Sequence, residues 1–365
     1  MVTVGHFGEI ATGLQRLILN NFESGIYFCW SNMHLSGYTY TKTLSGRMAV
    51  LTGLAAALHF CVDGLCLCCL YLATAGVSEL LRYFVVYNVL AFLTQPLTGM
   101  LADRAKRRHW ILLASIVLLI LAVVETIGIV SRNSASSVFL LVVLSVLLGM
   151  GNSLFHVWGG KETAVRTGND ISALGVFVST GAFGLAVGSV FLSRALMLCL
   201  LIGICILALV YLRIDTAQPI DTTEIDSESK AYSKMLVWAV LILIMLIVAG
   251  RSFMGESFTG VIDKTPMVVL LVGALTMMGK MAGGWLVKWM GMVTSVILLV
   301  AGVTVCLVAK GNHIGIALAG LFMVNCTMPI TLYWANVMLK GREGLAFGLL
   351  AASLIPGYLI ATILN

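Results

Sequence analysis

Apolar residues run along this chain in long unbroken stretches, separated by short polar or glycine-containing turns. Eleven stretches stand out: 48–72, 80–102, 110–130, 137–158, 171–192, 194–213, 235–258, 266–287, 292–309, 313–339 and 344–364. A helix needs about 20 apolar residues to cross the hydrocarbon core, and each stretch is near that length. Strands of a membrane barrel would show short alternating segments. These runs are continuously apolar, so the pattern predicts eleven transmembrane helices in an all-α membrane protein.

Two segments break the pattern. Residues 214–234, IDTAQPIDTTEIDSESKAYSK, are polar and acidic and separate six spans from five. Residues 1–47 contain no run long enough to span. Ile10, Leu14, Leu17, Ile18 and Phe22 recur there at helical spacing, which suits a short amphipathic helix at the membrane interface. A disordered tail, or a natural start at Met48, are the other readings. No apolar region follows a basic start, so no cleavable signal peptide is read. The expected organisation is a tail (1–47), a six-helix bundle (48–213), a linker (214–234) and a five-helix bundle (235–365).

Composition sharpens the class. Of 365 residues, 60% are hydrophobic and only 10% charged, against roughly 25% charged in a soluble domain; the mean hydropathy is +1.03. A water-soluble fold cannot bury that apolar mass. Eight of the nine cysteines lie inside apolar runs, where they act as small hydrophobes rather than as a disulfide framework. Thiolates at Cys66, Cys68 and Cys69 would suit a soft metal, but packing is the simpler role, and no metal site and no cofactor are expected. There is no nucleotide-binding P-loop, no His-Glu-x-x-His and no nucleophile elbow. The short loops leave no room for a catalytic domain, so the chain is not read as an enzyme, and nothing points to nucleic acid.

Loop charge gives orientation. One alternate set of loops holds Arg104, Lys106, Arg107, Arg108, Lys161, Arg166, Arg213, Lys230, Lys234, Lys288, Lys340 and Arg342; the other holds Arg82, Arg132, Arg194, Lys264 and Lys310. The richer side is cytoplasmic by the positive-inside rule. The N-terminus, with Arg16, Lys42 and Arg47, and the linker share that side. The chain is expected to be a multi-pass protein of a cell membrane, of the bacterial inner-membrane type, surrounded by lipid.

Ionisable groups inside spans are costly and usually face a cavity or a partner. His59 and Asp63 are four residues apart and share one helix face. Histidine titrates near neutrality, so the pair can carry a coupling proton; a static pair that fixes helix packing is the alternative. His156 sits in the fourth span. Arg251 and Lys280 are cations within the seventh and eighth spans, and with the two histidines they favour an anionic substrate; snorkelling of Arg251 or internal pairing with Glu256, Glu125 or Asp63 would be the plainer role. Asn325, Tyr333, Trp334 and Asn336 in the tenth span, and Asn88 and Gln95 in the second, offer hydrogen-bonding or stacking surface for a cavity, although amides between helices are often simple glue.

The second loop reads Gly99-Met-Leu-Ala-Asp103-Arg104-Ala-Lys106-Arg107-Arg108. It resembles the major facilitator signature between the second and third helices, with Lys106 where the pattern has its second glycine. The resemblance implies a major facilitator fold of two pseudo-symmetric bundles. It also implies a conformational latch built from Gly99, Asp103, Arg104, Arg107 and Arg108, in which Asp103 faces the N-terminus of the helix that starts near Gly344. Gly284-Trp-Leu-Val-Lys288-Trp-Met-Gly291 echoes the motif in the second half; Lys288 stands at the aspartate position, so a second latch is expected to be lost or altered. The family has twelve spans, and the twelfth is apparently missing here.

Further stretches resemble the fosmidomycin-resistance branch of the facilitators. These are His59-Phe-Cys-Val-Asp63, Gln95-Pro96 before Gly99, Gly149-Met-Gly151-Asn-Ser-Leu-Phe155-His156, and Gly181-Ala-Phe183-Gly184 followed by Gly188. Val157 to Gly160 departs from the branch, which has a proline after the histidine. The resemblance implies proton-coupled efflux of a small organic anion or drug, by antiport and alternating access. Two readings stay open beside it: metabolite uptake by the same fold, and a non-transporting receptor or scaffold derived from a carrier.

Overall fold

The computed structural model describes residues 46–75, 80–105, 107, 109–131, 137–216, 233–260, 262–309 and 313–364. The expected interfacial helix before residue 46 and the linker positions 217–232 lie outside the described residues. Among those described, eleven helices are long and apolar enough to cross a membrane, and no strand occurs. They are α1 (Gly46–Ala73), α2 (Leu80–Arg104), α3 (His109–Ser131), α4 (Val138–Thr167), α5 (Ile171–Val190) and α6 (Arg194–Thr216), then α7 (Lys234–Thr259), α8 (Pro266–Met290), α9 (Met292–Ala309), α10 (Ile314–Met338) and α11 (Glu343–Ile363).

Packing sorts them into two groups. In the first, α1 lies against α3, α4, α5 and α6, while α4 also packs on α2, α3 and α5. In the second, α10 lies against α7, α8, α9 and α11. The groups meet where α5 crosses α8 and where α2 crosses α11. The apolar mass left over faces outward: Val117, Ile120, Leu121 and Val124 on α3, and Trp285 and Trp289 on α8, are exposed, as a lipid-facing surface requires.

Two helices run past their expected ends because their charges find partners. The fourth apolar run stops at residue 158, yet α4 continues to Thr167. Glu162 accepts from Arg166 Nε at 2.7 Å one turn on, and Lys161 Nζ donates to Ala102 O at 2.7 Å. Likewise α6 runs through Asp215, a buried residue paired with Arg166 and, at 2.7 Å, with His109. Arg47 at the start of α1 donates to the carbonyls of Ile214 and Asp215. This cluster ties α1, α3, α4 and α6 together at one end, and it explains why residues 46, 47 and 214–216 are helical.

In α2 a π-turn over Val89–Leu93 precedes Pro96. Proline has no amide hydrogen to give the carbonyl four residues back, and a wider turn relieves the clash. The side chains of Gln95 and Thr94 occupy freed carbonyls there: Gln95 Nε2 donates to Ala91 O at 2.7 Å and Thr94 Oγ1 to Leu90 O. This irregular turn carries Gln95 to the centre of the molecule.

Candidate cation site and gate between the bundles

α1 places His59 and Asp63 one turn apart, and α4 places Asn152 and His156 one turn apart. Their faces meet. His59 Nε2 and His156 Nε2 are 2.7 Å apart, His59 Nε2 is 3.3 Å from Asp63 Oδ2, and His156 Nε2 is 3.2 Å from Asp63 Oδ1. Asn152 Nδ2 donates to Asp63 Oδ1 at 2.7 Å. All three ionisable residues are no more than 6% exposed. Phe155 and Phe177 flank His59, Phe92 and Phe347 flank His156, and together they hold bulk water off the cluster.

The surrounding bonds fix where the protons are. A carbonyl only accepts, so His59 Nδ1 donates to Phe177 O at 2.7 Å. Neutral His59 therefore has a lone pair on Nε2. Gln95 Nε2 lies 3.2 Å from His156 Nδ1 and can only donate. His156 thus carries its hydrogen on Nε2 and donates it to His59 Nε2. One proton fits between the two rings. A second would set two N–H bonds against each other at 2.7 Å, unless it turned toward Asp63.

α5 closes the cluster from below. A methyl group at Gly181 would collide with Asp63 Oδ2 and His59 Nε2, so only glycine lets the α5 backbone come this close to the converging atoms.

Arg251 on α7 is buried at 6% exposure and its Nη1 has no partner. The snorkelling expected as its plainer role is not what the structure shows. Lys280 on α8 is half-buried and close enough to both Arg251 and Asp63 to interact electrostatically with each. Among the described residues neither cation has a carboxylate within ion-pair distance, and Lys280 feels Asp63 only from further away. Buried charge without an ion pair is expensive, which makes Arg251 above all a candidate ligand-binding group.

Other sequence candidates divide. Gln95 is fully buried and belongs to the cluster. Asn88 and Asn325 donate to carbonyls of their own helices, at Phe84 and Leu321. Tyr333 and half-buried Trp334 touch edge to face at 5.8 Å. Asn336 donates to Asn169 Oδ1 at 2.9 Å, and Asn169 Nδ2 donates to Tyr333 O at 3.1 Å. These last contacts join α10 to the α4–α5 turn and are part of a candidate gate.

That gate has two halves. In one, Asp103 Oδ1 and Oδ2 accept from the backbone N–H groups of Gly344 and Leu345, each at 2.9 Å, a carboxylate on the positive end of α11. A methyl at Gly99 would collide with Gly344 O. Lys161 Nζ stands 3.6 Å from Asp103 Oδ1. In the other half, Asp170 caps α5, its Oδ1 accepting from Ala173 N at 2.9 Å, and its Oδ2 pairs with Lys288 Nζ at 2.6 Å. Lys288, at the motif's aspartate position, thus makes a charged contact of its own between the bundles. Arg104 and Arg107 are exposed and take no part in the Asp103 contact. Arg108 lies outside the described residues.

Sequence reasoning passed over Asn152, Lys161, Asp170 and Phe177. Asn152 and His156 show the same four-residue spacing that singled out His59 and Asp63. Asp170, just ahead of an apolar run, is a standard capping position. Phe177 contributes its ring and its backbone carbonyl, and for the carbonyl contact a sequence holds no signal. The three clustered cysteines do not converge on one point: Cys66 Sγ faces Leu148 O and Cys68 Sγ faces Ser193 O.

No protein-family model matches the sequence, and no curated protein matches it. Among solved structures, the chain is similar to a bacterial homologue of the iron transporter ferroportin in an outward-facing state, with a TM-score of 0.51 and 13% identity over 86% of this chain and 90% of that one. At that identity the likeness is one of fold. The chain shares that protein's fold, and its eleven long apolar helices are those of a multi-pass membrane protein.

Proposed function

We propose that this protein is a secondary transporter that couples proton movement to the export of a small organic anion by alternating access. The observation that carries the reading is the buried His59–Asp63–His156 cluster, set beside two unneutralised cations on the opposite bundle. The cluster holds one shared proton in the closed arrangement. A second proton puts N–H against N–H across 2.7 Å unless the rings turn toward Asp63, and either way the rings must move, shifting α1 against α4 and the Phe177 carbonyl of α5. Because α5 crosses α8, the disturbance passes to the helix that bears Lys280. Arg251 and Lys280 supply the positive charge for the anion. A cargo that neutralises them lets the bundles rock without exposing naked charge, and the Asp103 and Lys288 contacts hold one end shut until then. The resemblance of the His59, Gln95, Phe155–His156 and Gly181 stretches to the fosmidomycin-resistance branch favours export, with the gated end cytoplasmic and the N-terminus on that side. Surrounding lipid is the partner this reading requires.

The test is a proteoliposome assay with internal pH dye and a panel of small carboxylates and phosphonates. Anion-dependent proton flux is expected in the natural chain and at most a tenth of it in Asp63→Asn, by analogy with the loss of a positioned proton-transfer group. Flux that ignores both the anion and Asp63 would rule the mechanism out. Flux driven only by anions presented on the gated side's opposite face would reverse the direction.

A further inference from the structure

We propose that the His59–Asp63–His156 cluster is a binding site for a divalent transition-metal ion. The inference rests on the reading of this cluster as the carrier's cation site and names a second cation that it takes. The three side chains offer one ligand atom each within 4.8 Å of one another, all buried. Two imidazoles and one carboxylate on a single face, with open positions beyond, are the donor set that binds Fe2+, Co2+ and similar ions.

The spacing fits. Metal–nitrogen bonds are about 2.1 Å, so neighbouring ligands at right angles lie about 3 Å apart. The two imidazole nitrogens lie 2.7 Å apart, and each has its own oxygen of Asp63 close by, Oδ1 at 3.2 Å from His156 and Oδ2 at 3.3 Å from His59. The ion needs room out of the plane of the donors and has to lie on the face away from Gly181, where the α5 backbone already comes within a methyl's reach of Asp63 Oδ2 and His59 Nε2.

The outer ring of contacts is also of the right kind. A metal-bound histidine usually donates its other nitrogen to a carbonyl or carboxylate. His59 already does so, from Nδ1 to Phe177 O. His156 would have to free its Nε2 lone pair and carry its hydrogen on Nδ1. A half-turn of the Gln95 amide would present Oε1, now buried with no partner, to that hydrogen at the expense of the Nε2 bond to Ala91 O. Asn152, whose Oδ1 is likewise buried without a partner, holds the Asp63 carboxylate through its Nδ2. Two orphaned amide oxygens around one cluster are hard to explain by a shared proton alone. Asp63 offsets one charge of the ion, and an anion drawn by Arg251 and Lys280 offsets the other.

The experiment is equilibrium dialysis of the purified full-length protein in detergent against Co2+, followed by metal analysis and visible spectroscopy. About one Co2+ per chain is expected, with d–d bands of a nitrogen- and oxygen-ligated ion. His59→Gln and His156→Gln should each bind at least tenfold more weakly, while His313→Gln, on an exposed residue outside the site, should match the natural chain. If the ligand variants do not fold, the natural chain's spectrum still decides: no bound Co2+, or bands lacking nitrogen coordination, overturns the proposal. Equal binding by the His59→Gln and His156→Gln variants also overturns it. Absent metal with intact proton flux removes this inference and leaves the transport reading; bound metal with no flux does the reverse.

Discussion

Lys288 occupies in the second bundle the place that Asp103 holds in the first, and both make the same crossing with opposite charge. Gln95, Gly99 and Asp103 on α2 correspond to Lys280, Gly284 and Lys288 on α8, each offset by 185 positions. Gly99 lies on Gly344 and Gln95 O on Gly348; Gly284 lies on Ile171 O and Lys280 O on Gly175. The carboxylate of the first half meets a bare helix N-terminus. In the second half the N-terminus already has its own carboxylate, Asp170, so the crossing residue must be a cation.

This inversion sets an expectation for the gate. Asp170→Asn keeps the cap but removes the charge, and Lys288→Met removes the other partner. Each should favour the open gate, and together they should be less than additive, with a coupling of about 0.5–3 kcal/mol. Spin-label distances between the ends of α5 and α8 measure the populations. Fully additive effects would show that the 2.6 Å pair does not hold the gate.

Gly344→Ala places a methyl 2.7 Å from Gly99 O and 2.8 Å from Asp103 Oδ1. Backbone cannot yield there as a side-chain tip can. The gate is expected to stay open, with thiol labelling of a cysteine at position 345 accelerated several-fold and transport largely lost. Unchanged labelling would mean that the crossing tolerates separation.

The proton positions are directly observable. Imidazole nitrogen NMR on labelled protein should show His59 with its hydrogen on Nδ1 and His156 with its hydrogen on Nε2. Gln95→Glu supplies an acceptor where Gln95 Nε2 now donates, so the hydrogen of His156 should move to Nδ1. His59 Nδ1 should remain protonated, because its partner, Phe177 O, is unchanged.

Arg251→Leu separates ligand binding from stability by sign. Removing a buried charge that has no partner should leave the cargo-free protein as stable or raise its melting temperature by a few degrees. The same change should weaken stabilisation by a bound anion at least tenfold in concentration. A variant that melts much lower without cargo would reveal a structural partner for the guanidinium.

The helices and their number were legible because lipid demands length and apolarity, and those are written into composition. Ends were less so: Lys161, Glu162 and Arg166 read as loop residues, yet each finds a partner that keeps it helical. His59 and Asp63 were legible from spacing alone. Their meeting with His156 and Gln95 was not, since it depends on how α1, α2 and α4 cross. Lys288 read as a missing aspartate because its partner, Asp170, lies more than a hundred positions away. Asn336 read as cavity surface for the same reason, its partner being Asn169.

One helix touches every part of this machinery. α5 carries Asp170 at the gate, Gly175 against Lys280, the Phe177 carbonyl at His59 and Gly181 under the cluster, and it lies backbone to backbone on α1 through Gly184 and Gly188. Those two glycines form a fulcrum. At 1.5 Å per residue the short arm, from the fulcrum to Gly181, is about 8 Å, and the long arm, to Asp170, about 24 Å. A tilt that widens the histidine cluster by about 1 Å therefore swings the gate end by roughly 3 Å. In the proposed cycle, leverage of that ratio would let the gain of one small ion part a contact at the far end of the same rod.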